Sequence, residues 1–137
     1  MSRRSKMKYI KQKHITGCGV AAVAMLTGVS YNTALKAVRP DRKSGDCACT
    51  SLTDFLRGIE DLGHKCHVSY KKSQLQNLDR NAMIVVRNPT EDAHTPLHVV
   101  IWDAEKKEIL DPWGLQSTFT IDHKYIQKYE QYRIILV

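Results

Sequence analysis

The order in which helical and strand patterns follow one another along the chain is the feature that most constrains its fold. Residues 20–28 (VAAVAMLTG) are apolar on all sides, which predicts a buried helix that ends at Gly28. Ser30 is a favourable cap for a second helix, which must end before Pro40. Residues 51–63 repeat their apolar positions every three or four residues, the spacing of one helical face, and predict a third helix. Three helices therefore come first.

The second half of the chain carries short runs that are typical of strands. The run AMIVV, for example, is compact and apolar and predicts a buried strand. Because helices and strands are segregated rather than alternating, we predict an α+β fold in which N-terminal helices pack on an antiparallel sheet. The predicted strands are residues 65–70, 82–86, 97–102, 108–110, 117–121 and 132–137, with short helical turns around 73–78 and 123–128.

Length and composition indicate one ordinary globular domain. The chain has 137 residues, of which 42% are hydrophobic and 26% are charged, and these values are typical of a soluble protein with a single domain. The basic start is not followed by an apolar segment with a small-residue cleavage site. The best apolar run, Val20 to Leu26, is far shorter than the roughly 20 residues that span a bilayer. The sequence therefore predicts a cytoplasmic protein with no signal peptide or transmembrane segment.

Basic residues are concentrated at the N-terminus of the chain, whose formal net charge is +7. We therefore divide the sequence into a basic arm, residues 1–13, and a single domain, residues 14–137. Such an arm can bind an acidic partner (an acidic protein, a membrane surface or a nucleic acid), or it is simply a solvated terminus. Aromatic residues do not alternate with the basic ones, which disfavours nucleic acid. The basic side chains of the arm are Arg3, Arg4, Lys6, Lys8, Lys11 and Lys13.

Cys18 is the first candidate for chemistry, because it lies between Gly17 and Gly19 directly before the first predicted helix. The positive end of a helix dipole favours the thiolate, which is the nucleophilic form of cysteine. The two glycines allow a sharp turn and the close approach of a substrate. The alternative is a buried structural cysteine, which is the commonest fate of a free thiol.

His98 and Asp111 lie on the two strands of a predicted hairpin, whose second strand stops at Pro112. A turn centred between Ala104 and Glu105 places positions 98 and 111 directly opposite each other on one face of the sheet. A carboxylate there can bind one imidazole nitrogen and leave the other for a thiol. The pair therefore predicts a base, His98, and an acid that orients it, Asp111.

Gln12 is the third candidate, six residues before Cys18. A side-chain amide, together with a backbone N–H at the start of a helix, can stabilise the oxyanion of an acyl-transfer reaction by roughly 3–4 kcal/mol. The alternative is that Gln12 is an ordinary polar residue of the basic arm.

Together these residues resemble a known family. Gln12, the stretch GCGVAAVAMLTGVSY and the segments HVVI and DPWG are similar to those of the bacteriocin-processing double-glycine peptidases and their free-standing relatives in the papain-like superfamily. The resemblance covers about residues 10–120 and implies a papain-like cysteine peptidase that acts on a protein or peptide and needs no cofactor. The double-glycine preference and a role in secretion are not carried over. The roles implied are nucleophile for Cys18, base for His98, orienter for Asp111 and oxyanion donor for Gln12.

A second class of function stays open beside the enzyme. A papain-like domain can keep these residues and still serve as a catalytically silent binding subunit, docked through its basic N-terminus. Deamidation, isopeptidase and transglutaminase chemistry also use the same residues as peptide hydrolysis.

The remaining cysteines favour reduced thiols, because the sequence shows no signal peptide. Zinc binding by Cys47 and Cys49 with Cys66, His64 or His67 is disfavoured, since a single residue between two ligands is a poor spacing for one tetrahedral ion. We therefore predict no metal site. A disulfide from Cys66 to one of the other two cysteines is the remaining alternative.

Overall fold

The fold begins with three helices and continues in short strands, which is the order that the sequence predicts. The helices are α1 (Cys18–Thr27), α2 (Tyr31–Val38) and α3 (Leu52–Asp61). The later elements are β1 (His67–Ser69), a short 3-10 helix (Leu75–Asn77), β2 (Ala82–Arg87), β3 (Leu97–Asp103), β4 (Glu108–Leu110), β5 (Thr118–Phe119), α4 (Lys124–Gln127) and β6 (Glu130–Leu136). This computed structural model describes residues 7–13, 17–43, 51–69, 75–87, 97–112, 118–120, 122–127 and 130–137.

The helix ends follow from the local signals in the sequence. Gly28 terminates α1 in the left-handed conformation, at φ +75°, and its N–H donates to the Ala24 carbonyl at 2.9 Å. The Ser30 hydroxyl accepts from the Thr33 N–H at the start of α2. At α3 a capping box forms, since Ser51 and Asp54 each accept from the other's backbone N–H, at 3.2 and 3.0 Å. The predictions of these three helices are confirmed.

Helix α1 is buried on all sides, as its continuous apolar character predicts; its residues Gly19 to Met25 are buried without exception. Within the described part of the chain, no single helix has both the length and the hydropathy needed to cross a membrane. Among those residues, one helix pair, α1 and α2, passes the test when the two are taken together, and this pair is bent by 110° at the break.

The six strands form one sheet in the order β1-β6-β2-β3-β4-β5, and every neighbouring pair is antiparallel. The central strand β2 is covered on both faces. Met83 and Val85 pack in the core cluster that contains α1, whereas Ile84 and Val86 pack with Trp102 in a second cluster on the opposite face. This burial on both sides is the reason that the strand reads as a continuous apolar run rather than an alternating one.

The segment 7–13, which the sequence assigns to the basic arm 1–13, lies against the domain. Met7 and Ile10 are half-buried and pack on the same core cluster as α1. Residues 1–6, with Arg3, Arg4 and Lys6, lie outside the described residues. The division of the chain at residue 13 stays a prediction. The exposed basic side chains of the described segment are Lys8, Lys11 and Lys13.

Gly58 of α3 supports a prediction about stability. A Cβ at this position would lie 2.7 Å from Val38 Cγ2, 3.0 Å from Val38 Cα and 3.2 Å from Val38 N, so α2 and α3 approach too closely for any side chain here. Helix propensity favours alanine over glycine by about 1 kcal/mol, but overpacking costs about 1–3 kcal/mol, and backbone atoms cannot yield as a side chain can. We expect Gly58→Ala to lower the free energy of unfolding, measured by urea denaturation. In a Val38→Ala background, Gly58→Ala should lower the free energy of unfolding by a smaller amount. An equal decrease in both backgrounds would contradict this explanation.

Candidate active site

Cys18 is the first residue of α1 and is half-buried. Gly17 caps the helix with φ −93° and Gly19 lies inside it; both are buried. Neither glycine has a positive φ, so what glycine offers here is the absence of a side chain rather than a special backbone conformation. The sulfur lies at the positive end of the helix dipole, as the sequence predicts.

His98, on β3, and Asp111, directly after β4, form a close pair. The distance from His98 Nε2 to Asp111 Oδ1 is 2.8 Å. The Asp111 side chain is completely buried, and 18% of the His98 side chain is exposed. The pairing of these two residues, predicted from the hairpin, is therefore present in the structure.

The predicted register of that hairpin is wrong by two residues. Asp103 pairs with Glu108, so positions 98 and 111 are not directly opposite. The turn is longer than predicted because Lys107 adopts a positive φ of 54°, and because the Asp103 carboxylate accepts from two N–H groups of the turn. A shift of two residues keeps every side chain on its face, since strand side chains alternate with a period of two. His98 and Asp111 are therefore diagonal neighbours on the same face, and their side chains span the diagonal.

The His98 ring also interacts with the Cys18 thiol group, and this interaction contributes to the pKa of the ring. Burial lowers the pKa of His98, but the hydrogen bonds with Asp111 and Cys18, and the negative charge of both groups, raise it to about 9 overall. At neutral pH the ring therefore keeps both protons. Because Nε2 faces Asp111, the other ring nitrogen is left for the sulfur.

Gln12 is buried, and its backbone N–H donates to the Pro112 carbonyl at 3.2 Å. Three residues earlier, the Tyr9 hydroxyl donates to the Asp111 carbonyl at 2.9 Å. The structure thus brings the four predicted catalytic residues into one connected group. The backbone of Gln12 bonds to the turn that carries Asp111, the Asp111 carboxylate bonds to His98, and the His98 ring interacts with Cys18.

Tyr9 is a residue of this group that the sequence reasoning missed. The apolar pair formed by Tyr9 and Ile10 interrupts the lysines of the arm, and this interruption is the signal that the segment packs on the domain rather than extending into solvent. A further anchor of the segment is Lys13, whose ammonium group lies 5.6 Å from the centre of the Tyr31 ring.

The other cysteines lie apart from this group or outside the described residues. Cys66 is a free, half-buried thiol whose sulfur lies 3.9 Å from the Leu56 carbonyl oxygen. Burial and the charge of Glu60 raise the pKa of Cys66. Cys47 and Cys49, on which the zinc and disulfide alternatives depend, are outside the described residues. Among the residues that are described, no group of three or more His, Cys, Asp or Glu side chains is arranged to hold a metal ion.

Three helices on a six-stranded antiparallel sheet, with a cysteine at the start of the first helix and a histidine on a central strand, make this a papain-like peptidase fold. The chain is similar to the crystal structure of the peptidase domain of Streptococcus ComA, a bi-functional ABC transporter involved in a quorum-sensing pathway. The TM-score is 0.69, the sequence identity is 15%, and the match covers 95% of this chain and 96% of that domain. No protein-family model and no curated protein matches the sequence. The predicted α+β, papain-like fold is confirmed, and the family resemblance drawn from the sequence is confirmed at the level of the fold.

Proposed function

We propose that this protein is a cysteine peptidase that hydrolyses peptide or amide bonds by attack of the Cys18 thiolate. His98 is the base and Asp111 orients it, while Gln12 stabilises the oxyanion. The observation that carries the proposal is the 2.8 Å contact between His98 Nε2 and Asp111 Oδ1, in a pair whose histidine also interacts with Cys18, on a peptidase fold.

The proposed mechanism begins from a thiolate beside an imidazolium. The raised pKa of His98 keeps the ring protonated at neutral pH, and in the proposed mechanism the ring accepts the proton that the Cys18 thiol gives up. The thiolate attacks the carbonyl carbon and forms a tetrahedral intermediate. The imidazolium then donates its proton to the leaving amine, and a thioester to Cys18 remains. Water, deprotonated by the now neutral ring, attacks that thioester, and the product acid leaves while the thiolate and the imidazolium are restored.

Asp111 keeps the His98 ring in one orientation throughout this cycle. Its carboxylate is fully buried and accepts from Nε2, so the ring cannot turn that nitrogen toward the sulfur. A buried carboxylate also stabilises the positive ring before and after each proton transfer. The same arrangement serves deamidation and acyl transfer, which differ only in the leaving group and the acceptor.

The basic arm supports a second candidate, a catalytically silent subunit that binds an acidic partner. Lys8, Lys11 and Lys13 are exposed on the segment that packs beside the site. In that case the segment is a docking surface, and the Cys18 thiol has no special reactivity. Measuring that reactivity separates the two functions.

The test compares alkylation of two cysteines in the same chain. At pH 6 an ordinary thiol with a pKa of about 8.5 is only about 0.3% ionised, whereas the proposed mechanism requires the Cys18 sulfur to react as a thiolate beside the His98 ring. We expect iodoacetamide at pH 6 to modify Cys18 at least ~100-fold faster than Cys66, measured by mass spectrometry of peptides. Cys66→Ser should leave the fast reaction intact and Cys18→Ser should remove it. Equal rates at the two cysteines would favour the silent subunit.

The pKa of His98 leads to a separate expectation about pH. Iodoacetate is anionic and is attracted by the imidazolium, whereas neutral iodoacetamide is not. As the pH rises through about 9, the ring loses its proton, so the rate with iodoacetate should fall relative to the rate with iodoacetamide. The measurement is the ratio of the two rate constants at Cys18 between pH 6 and 10. A ratio that changes near pH 6.5, the ordinary value for histidine, would contradict the raised pKa.

A further inference from the structure

The turn that carries Asp111 is attached to the N-terminal segment by two hydrogen bonds. Asp111 lies beyond Leu110, the last residue of β4 that pairs with β3. Pro112 has no N–H with which to form a backbone hydrogen bond. Two successive carbonyls of this turn accept hydrogen bonds from the segment 7–13: that of Asp111 from the Tyr9 hydroxyl, at 2.9 Å, and that of Pro112 from the Gln12 N–H, at 3.2 Å.

This attachment matters because the Asp111 side chain is short. Its carboxylate reaches His98 Nε2 at 2.8 Å along a diagonal of the sheet, and with only one methylene group it has little freedom to compensate for a movement of its own backbone. A small shift of the Asp111 carbonyl is therefore passed on to the carboxylate. Displacements of about 1 Å at a catalytic group are enough to lower rates substantially.

We propose that Tyr9 is a positioning residue, whose hydroxyl holds the Asp111 backbone so that the carboxylate keeps its hydrogen bond with His98. The inference rests on the proposed cysteine peptidase function and adds a residue to its machinery. Tyr9 does not contact the reacting sulfur; it acts through Asp111.

The surroundings of the Tyr9 hydroxyl favour its protonated form, which is the form that donates a hydrogen bond. Burial raises the pKa of Tyr9, and the negative charge of Asp111 raises it further. The hydroxyl therefore keeps its proton throughout the pH range in which the site works. The ring packs on the core cluster that contains α1, so the position of the hydroxyl is determined by the same core that positions Cys18.

Tyr9→Phe tests the role, because it removes the hydroxyl and leaves the ring to pack. The matched control is Thr27→Val. Thr27 also donates a half-buried hydroxyl to a backbone carbonyl, that of Val23 at 2.7 Å, but it lies at the end of α1 remote from Cys18. Both variants lose one hydrogen bond from a side-chain hydroxyl to a backbone carbonyl. If that bond contributes only to stability, the two variants should lose similar amounts of stability.

We expect Tyr9→Phe to slow the alkylation of Cys18 at pH 6 by roughly 3- to 10-fold. It should also move the midpoint of the iodoacetate-to-iodoacetamide ratio to lower pH by roughly 0.5–1 unit, because a weaker bond to Asp111 stabilises the imidazolium less. Thr27→Val should change neither quantity. If both variants lower the melting temperature equally and neither moves the midpoint, Tyr9 has only a structural role and the proposal is overturned.

A double variant shows whether Tyr9 acts through Asp111. In an Asp111→Asn background, Tyr9→Phe should not shift the midpoint further; an unchanged additional shift would overturn the proposal. Failure of the underlying function gives a different result: wild-type Cys18 would then react no faster than Cys66 and independently of His98, before any change at Tyr9.

Discussion

Replacing His98 with alanine should slow the alkylation of Cys18 by iodoacetamide at pH 6 by about 100-fold or more. Without the ring, the thiol loses the acceptor of its proton, and an ordinary cysteine is only about 0.3% ionised at this pH. Peptide hydrolysis should fall further, since the variant also lacks the group that protonates the leaving amine; general acid–base catalysis contributes roughly 10²–10⁴-fold.

The matched control for this variant is His67→Ala. His67 is exposed on the edge strand β1, which two other strands separate from β3. This control should react as the wild type does. If His98→Ala also reacted at the wild-type rate, the reactivity of the Cys18 thiol would not depend on the imidazole, and the two residues would not form a catalytic pair.

Gln12→Ala should weaken the binding of peptide aldehydes by about 10²–10³-fold, which is the size of the fall in kcat when one oxyanion donor is removed. An aldehyde forms a tetrahedral adduct with Cys18, and the oxygen of this adduct occupies the position of the oxyanion. Iodoacetamide reacts by displacement of iodide and forms no oxyanion, so its rate at Cys18 should not change. The measurements are the inhibition constants for a panel of short peptide aldehydes and the alkylation rate at pH 6.

Comparing peptide aldehydes with iodoacetamide distinguishes an oxyanion donor from a residue that only supports the structure of the site. The backbone N–H of Gln12 holds the Pro112 carbonyl in the variant as in the wild type, so the turn should persist. Lys11→Ala, an exposed neighbour, is the control for the segment and should change neither quantity. If aldehyde binding and alkylation fell together in Gln12→Ala, the residue would be a structural part of the site rather than an oxyanion donor.

The sequence located the site residues better than it located the strands that carry them. The predicted hairpin has His98 directly opposite Asp111, and its register is wrong by two residues. The pair is nonetheless present, with 2.8 Å between His98 Nε2 and Asp111 Oδ1. The predicted pairing of the two side chains is present because a shift of two residues leaves side chains on the same face of the sheet. A shift of one residue would have put the two groups on opposite faces. The positive φ of Lys107, which lengthens the turn, has no signal in the sequence, because lysine has no preference for that conformation.

The position of β6 is the clearest part of the fold that the sequence did not reveal. The last strand of the chain enters the sheet between β1 and β2. Its apolar pattern predicted a strand, but a pattern identifies only the residues that are buried and not the strands that bury them. The partner is chosen by the packing of the whole sheet, in which Ile134 and Ile135 enter the clusters on opposite faces.

The sequence by itself determined the helices, their caps and the class of the fold, because these depend on residues a few positions apart: Gly28 after α1, or Ser51 with Asp54 at α3. Only the tertiary structure decided how the site is held together. The bond from the Tyr9 hydroxyl to Asp111 joins residues 102 positions apart, and nothing in the local pattern of either segment specifies it. Such contacts form only when a folded core brings the segments together, which is why the basic arm could be seen in the sequence and its attachment to the site could not.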